Sequence, residues 1–384
     1  MDARAYDFIF LGAGCASLSI ITRMIDSTRF NDKKILIIDR ELKNKNDRTW
    51  CFWENEPNYF EKIVYRKWKH LRVKTDTESI SLAMENYQYS MIRAIDFYTY
   101  CLDKIQAQEN IDICHGTISL QGSTIRINDE LLLLHEQAMV FNSIYVPQPK
   151  QPGKFYLLQH FMGWIIETEE NGFNPDEATL MDFRVGQHHG TSFVYTLPLS
   201  PKRALIEYTI FSENVLPQED YTSELSSYIE KYLLIKNYSI KEKESGIIPM
   251  TNVNFPFYEN RIYHIGTAGG QTKASTGYTF RFIQQQAGEI VKQLSLGKRN
   301  LLIKKTSKRF LFYDSTLLHI LSKKLLGGKI IFTTLFKKNK ASRIFKFLDN
   351  KSTLAEEISL LNTLPKKIFI MAGAQEFMKL AGKK

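Results

Sequence analysis

The stretch that most restricts the fold is residues 1–39. A run that begins at Asp7 and is apolar to Leu11 ends in Gly12, helical spacing follows through Ile20, Ile21, Met24 and Ile25, and a second apolar run, Ile35 to Ile38, closes at Asp39. Strand, turn, helix and strand in that order predict a βαβ unit with parallel strands. The turn reads Gly12, Ala13, Gly14, Cys15, Ala16, Ser17, a G-x-G-x-x-S variant of the dinucleotide-binding fingerprint. Gly12 permits the tight turn at Ala13, Gly14 lets backbone N–H groups approach a pyrophosphate at a helix N-terminus, and Ser17 is small enough for close helix packing. Asp39, 22 residues after Ser17, is placed to accept ribose hydroxyls.

A second small-residue loop, Gly266 to Gly277, comes late in the chain between a short strand, Arg261 to Ile265, and a helix from Tyr278 to Leu296. Alone it suits a structural loop equally well. Paired with the first motif, it fits the second part of a flavin domain, where small residues let backbone amides approach the isoalloxazine. Between the two parts, helical spacing marks Ala94 to Gln106, and alternation in twos runs from Lys154 to Phe211, with strands at Thr179–Val185, Ser192–Leu197 and Ala204–Phe211. The expected architecture is therefore α/β. A doubly wound Rossmann-like FAD-binding domain takes residues 1–150 plus 259–299. An inserted antiparallel substrate domain takes 151–258, with part of 55–90, and a basic helical region takes 300–384.

Charge separates that last region from the rest. Of the net +10, residues 298 to 346 alone contribute +13, with 14 Lys and Arg against the single acid Asp314, so the remainder is −3. Such a module seeks anions, and its alternating apolar and cationic residues suit an anionic membrane surface as well as a solvated helical face. No base-reading module appears, so nucleic acid is not an expected partner. With 43% hydrophobic and 24% charged residues the chain is not disordered or collagenous. No signal-peptide pattern precedes the first strand, no apolar run reaches a bilayer-spanning length, and the four cysteines are not paired as metal ligands. These features predict a cytoplasmic protein with reduced thiols and no metal, His188 and His189 being a solvated turn.

Glu207 stands out within Ala204-Leu205-Ile206-Glu207-Tyr208-Thr209-Ile210-Phe211, a strand apolar on both faces, where burial would raise its pKa; an exposed edge-strand carboxylate is the alternative. Arg48 and Arg281 fit either flavin phosphates or surface acids.

Several ordered motifs together resemble the lycopene beta-cyclase family, flavoproteins of carotenoid biosynthesis: the fingerprint, Asp47 to Phe52, MDFR at Met181–Arg184, FVYTLPLSP at Phe193–Pro201, ALIEYT at Ala204–Thr209 and ASTGYTFR at Ala274–Arg281. The resemblance covers most of residues 6–300. It implies reduced FAD, with NADPH as reductant, and cyclisation of the linear ends of lycopene and similar carotenoids into beta-ionone rings with no net redox change. A substrate soluble only in lipid, together with the basic module, predicts work at the cytoplasmic face of a membrane. The family's catalytic carboxylate, in a Phe-Leu-Glu-Glu-Thr type motif, falls on Glu207. Its second acid falls on Tyr208, a departure that leaves Glu207 to act alone or with the flavin. Protonating an alkene makes a tertiary cation, which calls for aromatic walls and exclusion of water. Trp50, Tyr195, Tyr208 and Tyr278 are the expected substrate-binding residues, with Trp53 and Phe280 as further candidates. A flavin monooxygenase or isoprenoid reductase acting on a lipophilic substrate is the alternative on the same scaffold.

Overall fold

The computed structural model describes residues 1–381. Its first layer is a six-stranded sheet in the order Tyr258–Glu259, Ile262–His264, Met139–Asn142, Phe8–Leu11, Ile35–Asp39, Ile111–His115. Every neighbouring pair is parallel except the first. Phe8–Leu11 and Ile35–Asp39 are buried along their whole length, which is why they read as unbroken apolar runs rather than alternating ones. Phe10 and Ile37 pack on helices Cys15–Ser27, Ala94–Gln106 and Phe280–Ser295. Ile9, Leu11 and Ile38 face Ile125 and Ile127, which belong to a three-stranded antiparallel sheet, Ile118–Gln121, Thr124–Ile127 and Glu130–Leu131. The crossover helix therefore covers one face and a small sheet the other.

The second layer is a seven-stranded sheet in the order Tyr238–Thr251, Tyr156–Thr168, Arg203–Ser212, Thr191–Ser200, Glu177–Asp182, His70–Lys74, Ser79–Leu82. All its pairs are antiparallel except Glu177–Asp182 with His70–Lys74. Its edge strand Tyr238–Thr251 carries mixed charges, the usual chemistry of an edge, and that pattern hid it in the sequence. A third, three-stranded sheet of Thr49–Glu54, Gln88–Arg93 and Arg66–Trp68 stands beside the two layers.

Alternation divides Arg203–Ser212 between two environments. Ala204, Ile206, Tyr208 and Ile210 pack on Tyr221, Leu225 and Tyr228 of helix Gln218–Tyr232. Leu205 and Phe211 join a different core, which the helices after residue 300 close through Leu318, Phe332, Phe336 and Phe345. Among the described residues these helices are Lys308–Ser322, Gly328–Lys338, Ala341–Leu348, Leu354–Leu361 and Lys366–Ala381.

The basic window is partly neutralised within the chain. Lys329 pairs with Asp76, and Lys337 and Lys340 pair with Glu78 and Glu85 at 2.8 and 3.0 Å. Asp314, its one acid, is buried and serves a lysine elsewhere. Lys273 Nζ lies 2.7 Å from Asp314 Oδ1, the Ser275 hydroxyl donates to the same oxygen at 2.7 Å, and Lys273 also donates to Asn350 Oδ1 at 2.9 Å. This pair ties the second small-residue loop to the C-terminal helices. Removing one partner of a buried pair leaves an uncompensated charge, so Lys273→Met should cost about 3–5 kcal/mol in denaturant unfolding. The double variant Lys273→Met/Asp314→Leu should recover much of that loss. A single variant as stable as the parent would show that the pair does not hold the loop.

Candidate functional site

A cavity of about 590 Å³ opens where the sheets meet, within the roughly 300–1,000 Å³ of small-molecule and cofactor clefts. The two small-residue loops form one wall. Helix Cys15–Ser27 begins at Gly14 with no side-chain cap, so no side-chain oxygen occupies the donors of its first turn, beside the cavity that Gly14, Cys15 and Ala16 line. Gly266 meets this helix from the other loop. At φ +60° it sits where a Cβ would lie 2.8 Å from Ala16 Cβ. Gly277, at φ +74°, brings its backbone so near the sheet that a Cβ would lie 2.2 Å from Gln159 Oε1. Both glycines line the cavity, and a side chain at either would collide with the helix or the sheet it packs against.

The other fingerprint residues stand behind this wall. Gly12, Ala13, Ser17 and Asp39 are not among the lining residues. Asp39 accepts the Ala13 N–H at 2.6 Å and the Glu41 N–H at 2.8 Å, and Lys43 Nζ lies 3.2 Å away, so its carboxylate braces the loop. Ser17 is fully buried, with its hydroxyl 3.2 Å from that of Ser143. Arg48 reaches the cavity and pairs with Asp47 at 2.9 Å. Arg281 turns away to Asp349 and the Trp53 carbonyl. Arg40, which no motif marked, lines the cavity beside Arg48.

Glu207 lies at the sheet side of the cavity, enclosed by protein yet partly accessible from the open space. Its Oε1 accepts from the Thr209 hydroxyl at 2.8 Å. Gly163 pairs with Glu207 on one side and with Glu244 on the other, so three adjacent strands carry acid, glycine, acid in one row. With no side chain between them, the two carboxyls come within hydrogen-bonding reach. Burial, then the Glu244 charge, pushes Glu207 up to about 8; burial pushes Glu244 up to about 7. Glu244 Oε2 accepts from the Thr49 hydroxyl at 2.7 Å, while its buried Oε1 has no donor.

Around the acids stand Cys51, Tyr195 and Tyr278. Burial pushes the Cys51 thiol well above its usual value and the Tyr278 phenol up to about 12, so both are neutral at pH 7. Trp50, Tyr195, Tyr278 and Phe280 line the cavity. Trp53 does not: it is buried, bonded to Asp349 and stacked on Phe345 at 4.8 Å. Tyr208 corrects the sequence-based expectation. A strand sends neighbours to opposite faces, so Tyr208, fully buried beside Tyr221, cannot touch a ligand that Glu207 touches. Glu244 went unread because it sits in Lys241-Glu242-Lys243-Glu244, where it looks like any edge-strand charge; only its pairing with Gly163 distinguishes it. Among the described residues no cluster of three or more His, Cys, Asp and Glu is arranged to hold a metal; His188 and His189 lie against one another with ring centroids 4.1 Å apart and planes tilted by 54°.

The sequence from residue 7 to 372 matches the family model of the lycopene cyclase protein. It is 24% identical over 285 residues to a lycopene beta-cyclase of Pantoea ananas, covering 71% of each chain. To a lycopene beta cyclase, chloroplastic/chromoplastic, of Narcissus pseudonarcissus it is 29% identical over 222 residues, 55% of this chain and 40% of the plant protein. The fold is similar to that of a geranylgeranyl bacteriochlorophyll reductase-like protein from Thermoplasma acidophilum, with TM-score 0.57 at 13% identity over 99% of this chain and 98% of that one. It is also similar to a flavoprotein/dehydrogenase from Cytophaga hutchinsonii, with TM-score 0.58 at 10% identity over 99% and 100%. At these identities the two structures speak to the fold alone: an α/β Rossmann-like scaffold with an antiparallel sheet and C-terminal helices.

The raised carboxyl leaves a signature in stability. Glu207 folded holds its proton more tightly than Glu207 unfolded, so its contribution is full below about 4.5 and is lost as pH rises through about 8. Glu207→Gln removes this loss. The variant should therefore gain on the parent in denaturant midpoint between pH 5 and pH 9; parallel curves over that range would mean that the carboxyl is not buried as described.

Proposed function

Since the chain belongs to the lycopene cyclase family, we propose that it is a lycopene beta-cyclase, an intramolecular lyase or isomerase that closes the linear ends of lycopene and related carotenoids into beta-ionone rings. The observation that carries this reading is a partly buried carboxyl, Glu207, its pKa raised by burial and by Glu244, facing a cavity walled by aromatic rings and two cofactor-type loops. Glu207 gives its proton to the terminal double bond, the neighbouring double bond attacks the tertiary cation, and loss of a ring proton completes an isomer of the substrate. Trp50, Tyr195, Tyr278 and Phe280 offer their faces to the cation, at about 0.5–2 kcal/mol for each favourable contact. Leu197 and Leu205 keep water from the cation, which would otherwise become an alcohol.

The loops fit FAD: the uncapped helix start at Gly14 suits a pyrophosphate, Gly266 and Gly277 put backbone at the cavity wall, and Arg48 supplies a cation. Reduced FAD, with NADPH as reductant, supplies an electron-rich ring that favours a nearby cation without net electron transfer. The likeness to a reductase-like fold favours a second reading, a flavin oxidoreductase acting on a lipophilic substrate. Expression in lycopene-accumulating cells separates them. The cyclase yields a pigment isomeric with lycopene, and Glu207→Gln, still loaded with flavin, should lose at least the roughly hundredfold that general acid catalysis contributes. A reduced or oxygenated product, or an unimpaired variant, would reject the cyclase reading.

The proposal includes docking on an anionic membrane at its cytoplasmic face. No helix among the described residues is long and apolar enough to cross a membrane. Helix Lys366–Ala381 nevertheless exposes Ile370, Met371, Phe377 and Met378 along one side, beside exposed Lys366 and Lys367. Apolar side chains that dip into the interface, with lysines at headgroup level, suit a surface-bound helix. Phe377→Ser/Met378→Ser should weaken binding to anionic vesicles, and Lys304→Gln/Lys305→Gln/Lys308→Gln/Lys338→Gln should weaken it and flatten its salt dependence. Lys337, paired with Glu78, should matter little. Equal binding of all variants would move the docking surface elsewhere.

A further inference from the structure

We propose that Glu244 is the positioning residue of the acid: it shares one proton with Glu207 across the gap left by Gly163. The inference rests on the cyclase reading and deepens it, since it assigns the second carboxyl that Tyr208 does not supply. Three observations support it. The two acids stand opposite the same glycine, one on each neighbouring strand. A Cβ on Gly163 would lie 3.0 Å from Leu205 Cδ1, 3.2 Å from Glu244 Cγ and 3.5 Å from Glu207 Cβ, so a side chain there would crowd Leu205 and the Glu244 stem and stand in the gap between the two acids. Glu244 is more than nine-tenths buried, and its Oε1 has no donor although its Oε2 is held by Thr49. A buried carboxylate oxygen without a donor is costly. We assign the missing donor to a proton on Glu207 across the gap left by Gly163, and two carboxylates that interact resist losing their last proton.

The step balances within the pair. The Glu207 O–H bond breaks as a C–H bond forms at the terminal alkene carbon. The site then holds two carboxylates beside the cation, which favours the cation. When the ring C–H bond breaks, its proton returns to the pair, its electrons become the ring double bond, and the acid is ready for the next chain end. Glu244 acts through Glu207 and need not touch the substrate.

The groups facing the pair are few. Thr209, Cys51, Tyr195 and Tyr278 face Glu207; Thr49, Glu242 and Asp47 face Glu244. Glu242 is paired with Arg203 and Asp47 with Arg48, and the thiol and phenols are neutral through the neutral range. A pH effect near neutrality therefore reports the two acids.

The test uses the flavin-loaded full chain and two readouts: the pH profile of lycopene turnover and the infrared carbonyl band of a protonated carboxyl, identified by its absence in Glu207→Gln. Removing the neighbouring charge with Glu244→Gln should move both the alkaline loss of turnover and the midpoint of the band to lower pH. Turnover should fall more at neutral pH than at the acid end. Gly163→Ala, which keeps both acids but displaces the Glu244 stem by a few tenths of an ångström, should shift both less far in the same direction and stands in should Glu244→Gln fail to fold. Unmoved profiles and an unmoved band in a folded, flavin-loaded variant would overturn the proposal. A band that moves in a protein that does not cyclise lycopene would reject the cyclase reading and leave the shared proton standing.

Discussion

Two acids in one low-dielectric pocket are the constraint around which the rest is arranged. Glu207 and Glu244 repel when both are ionised and lose solvation when buried, so neither would be kept there without compensation. The chain compensates locally with the hydroxyls of Thr209 and Thr49. It compensates globally by building the pocket from three sheets, so that each acid is reached by a different layer. Thr49 comes from the small third sheet, Tyr195 from the neighbour strand of Glu207, and Tyr278 from the loop that closes the Rossmann-like layer.

The sheet geometry also explains why Tyr208 lies away from the cavity. Whatever residue follows Glu207 in a regular strand points into the core on helix Gln218–Tyr232, and a large aromatic suits that core better than a charge. The residue after Glu207 cannot put a second acid on the cavity face, and the long edge strand provides one at a place that no local pattern reveals.

How much could be read beforehand follows from the range of each interaction. The βαβ start was legible because its signals, two buried apolar strands and a glycine turn, lie within residues 1–39. Helix Ala94–Gln106 and the strands on either side of Leu199–Lys202 were legible for the same reason. Glu207 was visible as a lone charge in an apolar strand. Glu244, Gly163 and Gln159 were not, because their meaning arises only when strands far apart in sequence are laid side by side. Asp39 was located correctly at a strand end, but its present partners are the loop backbone and Lys43. The basic window was legible as charge, though its pairing with Asp76, Glu78 and Glu85 depends on a hairpin more than 200 residues upstream.

The buried contact between Lys273 and Asp314 makes the helices after residue 300 something other than an appendage. The lysine belongs to the loop that borders the cavity, and the carboxylate that neutralises it belongs to the first of the C-terminal helices. The two segments are thus bound as lock and key. A chimaera that exchanges the helices for those of another protein will seat its loop only if the incoming helix brings an acid to the same spot, so the portable unit of this architecture is the loop together with its helix.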